Sequence, residues 1–162
     1  MQSGVVEAIY LGRTQHEKLQ AVQRARAVAG KGLEGDRYFK GDGTFSKPVK
    51  DGQDLTLIEA EAIEGLARDA SIELEQGAAR RNVVTRGVAL NELVGRQFRV
   101  GEVECVGRRL CDPCRHLERL TQPGVLKGLA NRGGLRADVL HGGEIAVGAP
   151  VSELEHPNPA YV

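Results

Sequence analysis

The hydrophobic pattern of the chain is a series of short alternating runs separated by glycines. Apolar residues alternate in Val6-Glu7-Ala8-Ile9-Tyr10 and in Leu19-Gln20-Ala21-Val22-Gln23, with Ala25, Ala27 and Ala29 following, and this period of two predicts two paired strands. Gly30-Lys31-Gly32-Leu33-Glu34-Gly35-Asp36-Arg37 is a glycine-spaced turn. The polar stretch from there to Gln53, containing Gly41, Gly43, Pro48 and Gly52, reads as a mobile loop. Leu55 to Ile58 predicts a strand running into a helix over 59–70, where Ile63, Leu66, Ala67 and Ala70 recur at helical spacing. The acids around that helix (Glu59, Glu61, Glu64, Asp69, Glu73, Glu75) read as a solvated face without a function. After Arg80-Arg81-Asn82-Val83-Val84-Thr85 and a turn at Gly87 comes a short segment from Leu90 to Val94. Gln97 to Val100 and Val103 to Gly107 then form a hairpin about Gly101-Glu102. Cys111-Asp112-Pro113-Cys114 opens a helix to about Leu120, and Pro123 starts another that Gly133-Gly134 ends. Alternation returns at Leu135, Ala137 and Val139, and again at Ile145, Val147 and Val151, before a fraying tail at His156-Pro157-Asn158-Pro159. Eight or nine short strands with two or three helices predict a mainly β (α+β) fold, a closed or nearly closed β-barrel with a few peripheral helices.

Composition bounds the function. The 162 residues, 41% hydrophobic, suffice for one core, and the 21 glycines suit a turn-rich β architecture. Lys plus Arg and Asp plus Glu balance at 22 each, so no global field draws the chain to nucleic acid or a membrane surface, and an anionic ligand needs a local cluster. No apolar run reaches the ~18 residues of a membrane span. Met1-Gln2-Ser3-Gly4 lacks the basic and apolar regions of a signal peptide, so a cytoplasmic protein is expected. Three cysteines argue against a disulfide framework and leave packing, metal binding or thiolate chemistry.

Cys111-x-x-Cys114 is the sharpest local signal, because a helix start and the neighbouring Arg108, Arg109 and Arg115 favour a thiolate. A thioredoxin-like redox pair would need a strand entering a helix within a βαβ unit, and a hairpin precedes the motif instead. A structural zinc site needs four ligands, where only Cys111, Cys114 and His116 lie close in sequence. Two core cysteines beside a turn are a third reading, and Cys105, alternating with Val103, reads as core. Arg80-Arg81-Asn82 offers fork-shaped donors suited to a phosphate, or else a plain basic surface pair. Gly30, Gly32 and Gly35 nominally satisfy GxGxxG, but a polar loop rather than a helix follows, which speaks against dinucleotide binding.

Taken in order, Gly32-Leu33-Glu34-Gly35-Asp36-Arg37-Tyr38, Arg80-Arg81-Asn82-Val83-Val84-Thr85, Leu93-Val94-Gly95, Phe98-Arg99-Val100-Gly101, Cys111 to Cys114, Arg132-Gly133-Gly134 and Gly143-Glu144-Ile145-Ala146-Val147-Gly148 resemble the MOSC domain family. That family is named for the C-terminal part of molybdenum cofactor sulfurase. The resemblance spans residues 4–152, leaves 153–162 as a tail, and departs from the family at Ala149, where Asp is common. It implies a β-barrel with helices at its mouth and one working cysteine, matched by Cys114, as molybdenum ligand or sulfur carrier. The molybdenum cofactor (molybdopterin) would be held by Arg80 and Asn82, with Asp112 touching it and Gly35, Asp36 and Arg37 in the binding set. The implied activity is reduction of N-hydroxylated compounds with electrons from an external reductase. The alternative is a carrier of sulfur or cofactor, supplied by a cysteine desulfurase-type donor. Pyridoxal phosphate is not expected, since the sequence contains no aminotransferase-like domain.

Overall fold

The computed structural model describes residues 3–39 and 51–161. Most of the expected loop between Tyr38 and Gln53 lies outside the described residues. The described residues form eleven strands: β1 (Ser3–Leu11), β2 (Gln20–Val22), β3 (Arg24–Val28), β4 (Gly32–Leu33), β5 (Leu55–Glu59), β6 (Val83–Arg86), β7 (Gln97–Val100), β8 (Val103–Leu110), β9 (Leu135–His141), β10 (Gly143–Ala146) and β11 (Pro150–Glu153). Seven of them close a barrel in the order β1-β6-β5-β9-β8-β7-β11, with β11 returning to β1 and β2 added to the outside of β1. A second sheet, β10-β3-β4, adds Ala25, Ala27, Leu33 and Ile145 to the same core.

The strand count exceeds the eight or nine expected because two alternating runs are divided, the one around Ile145 to Val151 giving β10 and β11, and because β4 forms inside the expected glycine turn. The run from Leu19 breaks between Val22 and Arg24, so β2 pairs with β1 while β3 pairs with β4 and β10. Period-two patterning shows which residues face inward but not which sheet receives them.

β5 and β6 are the one parallel pair in the barrel, and a parallel pair requires a crossover. Helix α1 (Ala60–Ala70) supplies it. The strands beneath it are therefore buried on both faces, with Leu57 and Val83 in the barrel core and Ile58 and Val84 in an outer cluster with Leu66 and Ala79. Two shorter helices, α2 (Arg115–Leu120) and α3 (Val125–Gly128), join that cluster through Leu117 and Val125. The acidic face of α1 is partly spoken for: Glu64 pairs with Arg86, Asp69 with Arg68 and Arg132, and Glu61 accepts from the Gly87 amide.

Registry gathers several chain ends on one rim. Leu57 pairs with both Val83 and Leu135, Leu135 pairs with Leu110, and Val83 pairs with Ile9. The end of β1, the middle of β5, the starts of β6 and β9, and the end of β8 thus lie side by side, and the segments that leave or enter these strands converge at one mouth.

Candidate functional site at the barrel mouth

Three of those segments and β9 itself build a pocket of about 250 Å³: the segments contribute Arg37 and Tyr38, Arg80 and Arg81, and Asp112 and Cys114, and β9 contributes Arg136; the first turn of α2 adds His116 and Leu117. The two cysteines of the CxxC pair face different surroundings. Cys111 is buried and its amide donates to the Gly134 carbonyl, whereas Cys114 is exposed and caps α2. Both are free thiols, as is Cys105. Among the described residues no group of three or more His, Cys, Asp or Glu side chains gathers as a metal cage.

The cysteine loop is shaped by glycine on its far side. A Cβ at Gly133 would stand 2.5 Å from the Cys111 carbonyl oxygen and 2.8 Å from the Pro113 ring, and Gly134 adopts φ +116° close against the Leu57 carbonyl. Only a residue without a side chain allows this approach. The Arg132-Gly133-Gly134 signal in the sequence is thus the floor under the Cys111 to Cys114 loop.

Arg80 and Arg81 diverge because of one backbone feature. Arg80 ends a 3-10 turn in the left-handed region (φ 62°, ψ 32°), a conformation that costs a non-glycine residue about 1 kcal/mol or more. It directs the two neighbouring side chains to different tasks. The Arg80 guanidinium donates to the carbonyls of Glu17 (2.6 Å) and Gln15 (2.8 Å), tying down the segment after β1. Arg81, buried, donates to the carbonyls of Gly133 (2.9 Å), Cys111 (3.2 Å), Ala79 (3.3 Å) and Asp112 (3.4 Å).

The remaining expected residues, Gly35, Asp36 and Asn82, lie outside the lining. Asp36 accepts from the Gly12 amide (2.9 Å) and the Tyr38 amide (3.2 Å) and pairs with Arg37 at 3.4 Å, which fixes the turn that presents Arg37 and stacks its guanidinium on the Tyr38 ring. Gly35 supplies the positive φ of that turn (85°). The Asn82 amide is engaged in the interior. Its Oδ1 accepts from the Thr56 hydroxyl and amide, and its Nδ2 donates to the Tyr10 carbonyl, which joins β6 to the strands on either side. The structure therefore brings Arg37, Arg80, Asp112 and Cys114 together in one lining, with Asp36 and Asn82 buried behind it and Gly35 exposed outside it. Arg81, His116 and Arg136 complete that lining. Arg136 sits at a polar position of an ordinary alternating strand and carries no sequence signal of its role; Arg81 was visible as half of a basic pair.

Charge in the pocket is unbalanced. Of Arg37, Arg80, Arg81 and Arg136, only Arg37 has a carboxylate partner among the described residues. Half-burial, and then the Arg37 charge beside it, pull the Arg80 guanidinium below its ordinary value, with Tyr38 and Asp36 opposing. Guanidinium stays protonated in proteins, so this pocket holds excess positive charge that an anion would relieve. An exposed thiol beside it can act as nucleophile or soft metal ligand.

Comparisons with known proteins agree with the architecture. Among solved structures, the chain is similar to the YuaD protein from Bacillus subtilis at 16% identity and a TM-score of 0.78, covering 96% of this chain and 97% of that one. YiiM from Geobacillus stearothermophilus follows at 15% identity and a TM-score of 0.72, covering 97% of this chain and 78% of that one. YiiM from Escherichia coli is similar at 20% identity and a TM-score of 0.68, covering 98% and 72%. No curated protein matches the sequence. At these identities the solved structures speak for the fold, while the family model for the MOSC domain matches residues 44–152 of the sequence itself. This chain belongs to the MOSC domain family.

Proposed function

We propose that the pocket binds an anionic molybdopterin cofactor, that Cys114 Sγ is the protein's thiolate ligand to molybdenum, and that the protein reduces N-hydroxylated compounds. The observation that carries this reading is the exposed Cys114 thiol in a lining whose arginines outnumber its carboxylates. A soft thiolate suits molybdenum, and guanidinium forks suit a phosphate, so the donor set fits the group. When bound, the molybdenum centre supplies two-electron redox chemistry. An N-hydroxyl compound takes two electrons from an external reductase and two protons, the N–O bond breaks, and the amine and water leave.

The chain's own residues divide the remaining work. Arg80, Arg37 and Arg136 hold the anionic end of the cofactor, Asp112 offers a polar contact beside the ligand, and Leu117 covers one wall. His116 carries ring nitrogens that can hand a proton to the departing oxygen. Gly35 and Asp36 set the turn that aims Arg37, and Asn82 acts from beneath by fixing the start of β6. Cys114 also stands at the surface rather than in a closed cavity, which favours a second reading: a carrier that takes a persulfide or hands on its cofactor without turnover.

Metal analysis of natively purified protein separates the two. Roughly one molybdenum per chain, lost in Cys114→Ser, is expected of the first reading, since a serine oxygen is a poor substitute for a thiolate. A metal-free protein that accepts persulfide on Cys114 would replace it with the second.

A further inference from the structure

We propose that Arg81 is a positioning residue whose guanidinium clamps the Cys111 to Cys114 loop, holding Cys111 in the protein and Cys114 out in the pocket. The inference rests on the reading of Cys114 as the working thiol and assigns that thiol's presentation to one side chain. A single buried guanidinium donates to carbonyls on three separate segments: Ala79 at the end of the 3-10 turn before it, Cys111 and Asp112 in the cysteine loop, and Gly133 in the turn beneath it. Its Nη2 bridges two consecutive loop carbonyls, Cys111 at 3.2 Å and Asp112 at 3.4 Å, and its Nε reaches the opposite wall at Gly133.

Two facts make this a clamp rather than a buried cation that happens to find acceptors. Among the described residues Arg81 has no carboxylate partner, so its charge is met by backbone oxygens alone, and buried charge is retained only where hydrogen bonds satisfy it fully. Among the described residues, the Cys111 amide to the Gly134 carbonyl is the one backbone bond that docks the loop to the turn beneath. A loop held by so little would open locally without unfolding the barrel. Lysine cannot replace this geometry, because an ammonium is a point donor and the four acceptors need a planar fork.

The test reads thiol protection in the full-length, metal-free chain. Each cysteine is followed by mass spectrometry during iodoacetamide labelling, with Cys105 inside the barrel as the marker of global unfolding. In the parent protein Cys114 should label first while Cys111 and Cys105 stay protected. In Arg81→Ala, Cys111 should label at least ~10-fold faster while Cys105 remains protected, the signature of local opening. Millimolar methylguanidinium should restore Cys111 protection and methylammonium should not, a distinction that a purely electrostatic or generally stabilising residue would not produce.

Arg81→Lys keeps the charge and should expose Cys111 as well, and it decides the matter if the alanine variant labels at Cys105 and is therefore unfolded. Gly133→Ala approaches from the other side, since its new Cβ would crowd the Cys111 carbonyl with Arg81 intact, and should expose the same cysteine. The proposal is overturned if Cys111 stays protected in folded Arg81→Lys, or if methylammonium rescues Arg81→Ala as well as methylguanidinium does. Absence of molybdenum from the native protein would sink the cofactor reading and leave this result standing.

Discussion

Cys105 and Cys114 are the same side chain in opposite settings, one in the wall of the barrel and one at its mouth. Cys105 faces inward from β8, opposite Phe98 and Val139 on the neighbouring strands, and is fully buried. Burial above all, with the charges of Asp54, Asp138 and Glu104 behind it, pushes its thiol far up, so it packs as a small hydrophobe. Cys114 leaves the rim, caps a short helix and stands exposed among guanidiniums. The exposed thiol belongs to a segment leaving a strand, and the closed wall both holds that segment in place and adds Arg136 to the same pocket.

The largest expected contrast comes from breaking each cysteine. Cys114→Ser should abolish metal-dependent or sulfur-transfer activity per folded molecule, whereas Cys105→Ser should retain it and instead lose about 1–3 kcal/mol of stability through a buried hydroxyl. Urea unfolding alongside activity checks both, and the comparison fails if Cys105→Ser is inactive while folded.

Arg80 and Asn82 extend the comparison to the binding set. Asn82→Ala should cost about 1–3 kcal/mol, because it leaves the buried Thr56 amide and hydroxyl proton without their acceptor and the half-buried Tyr10 carbonyl without its donor. Arg80→Ala releases only exposed or half-buried carbonyls, so it should lose cofactor with a smaller change in melting temperature. Cofactor content measured beside thermal melts distinguishes them, and equal destabilisation by the two would remove the division between lining and support.

Acid titration gives smaller effects of opposite sign. Burial, with the Glu61 charge, pushes the Glu59 carboxyl up, opposed by the hydrogen bond from the Leu90 amide. The native state then binds this proton more tightly than the unfolded chain, so stability from the group falls as pH rises from the ordinary carboxylate value through the raised one. Glu59→Gln, whose amide oxygen can still accept from Leu90, should melt slightly higher than the parent at pH 7, with the gain gone near pH 4. Glu7 runs the other way, held down first by its hydrogen bond from Arg86. Its contribution is present above the unfolded carboxylate value and lost as pH falls through the lowered one. Arg86→Gln should flatten that acid limb, an effect that shrinks in high salt because the pair is partly exposed.

Much of the wall was legible because period-two burial leaves its mark on sequence. The hairpin of β7 and β8 and the strand-to-helix step into α1 follow directly from local patterning and turn chemistry. The split of β2 from β3 did not, since both strands obey the same alternation and only tertiary pairing separates them. The mouth was legible in part. Arg37, Arg80, Asp112 and Cys114 carry recognisable motifs, but Arg136 looks like any polar position on a strand.

What the sequence by itself determined is the kind of protein: a turn-rich β chain with one chemically poised cysteine pair and basic motifs in MOSC-like order. Only the tertiary structure decided which cysteine stands at the surface and which carbonyls each arginine reaches. Cys111 and Cys114 are three residues apart, and Arg80 and Arg81 are adjacent. Their fates diverge through a left-handed turn at Arg80, a glycine floor at Gly133, and a barrel register that brings four distant segments to one rim. Burial and hydrogen-bond partners are properties of neighbours in space, and those neighbours come from strands far apart in the chain.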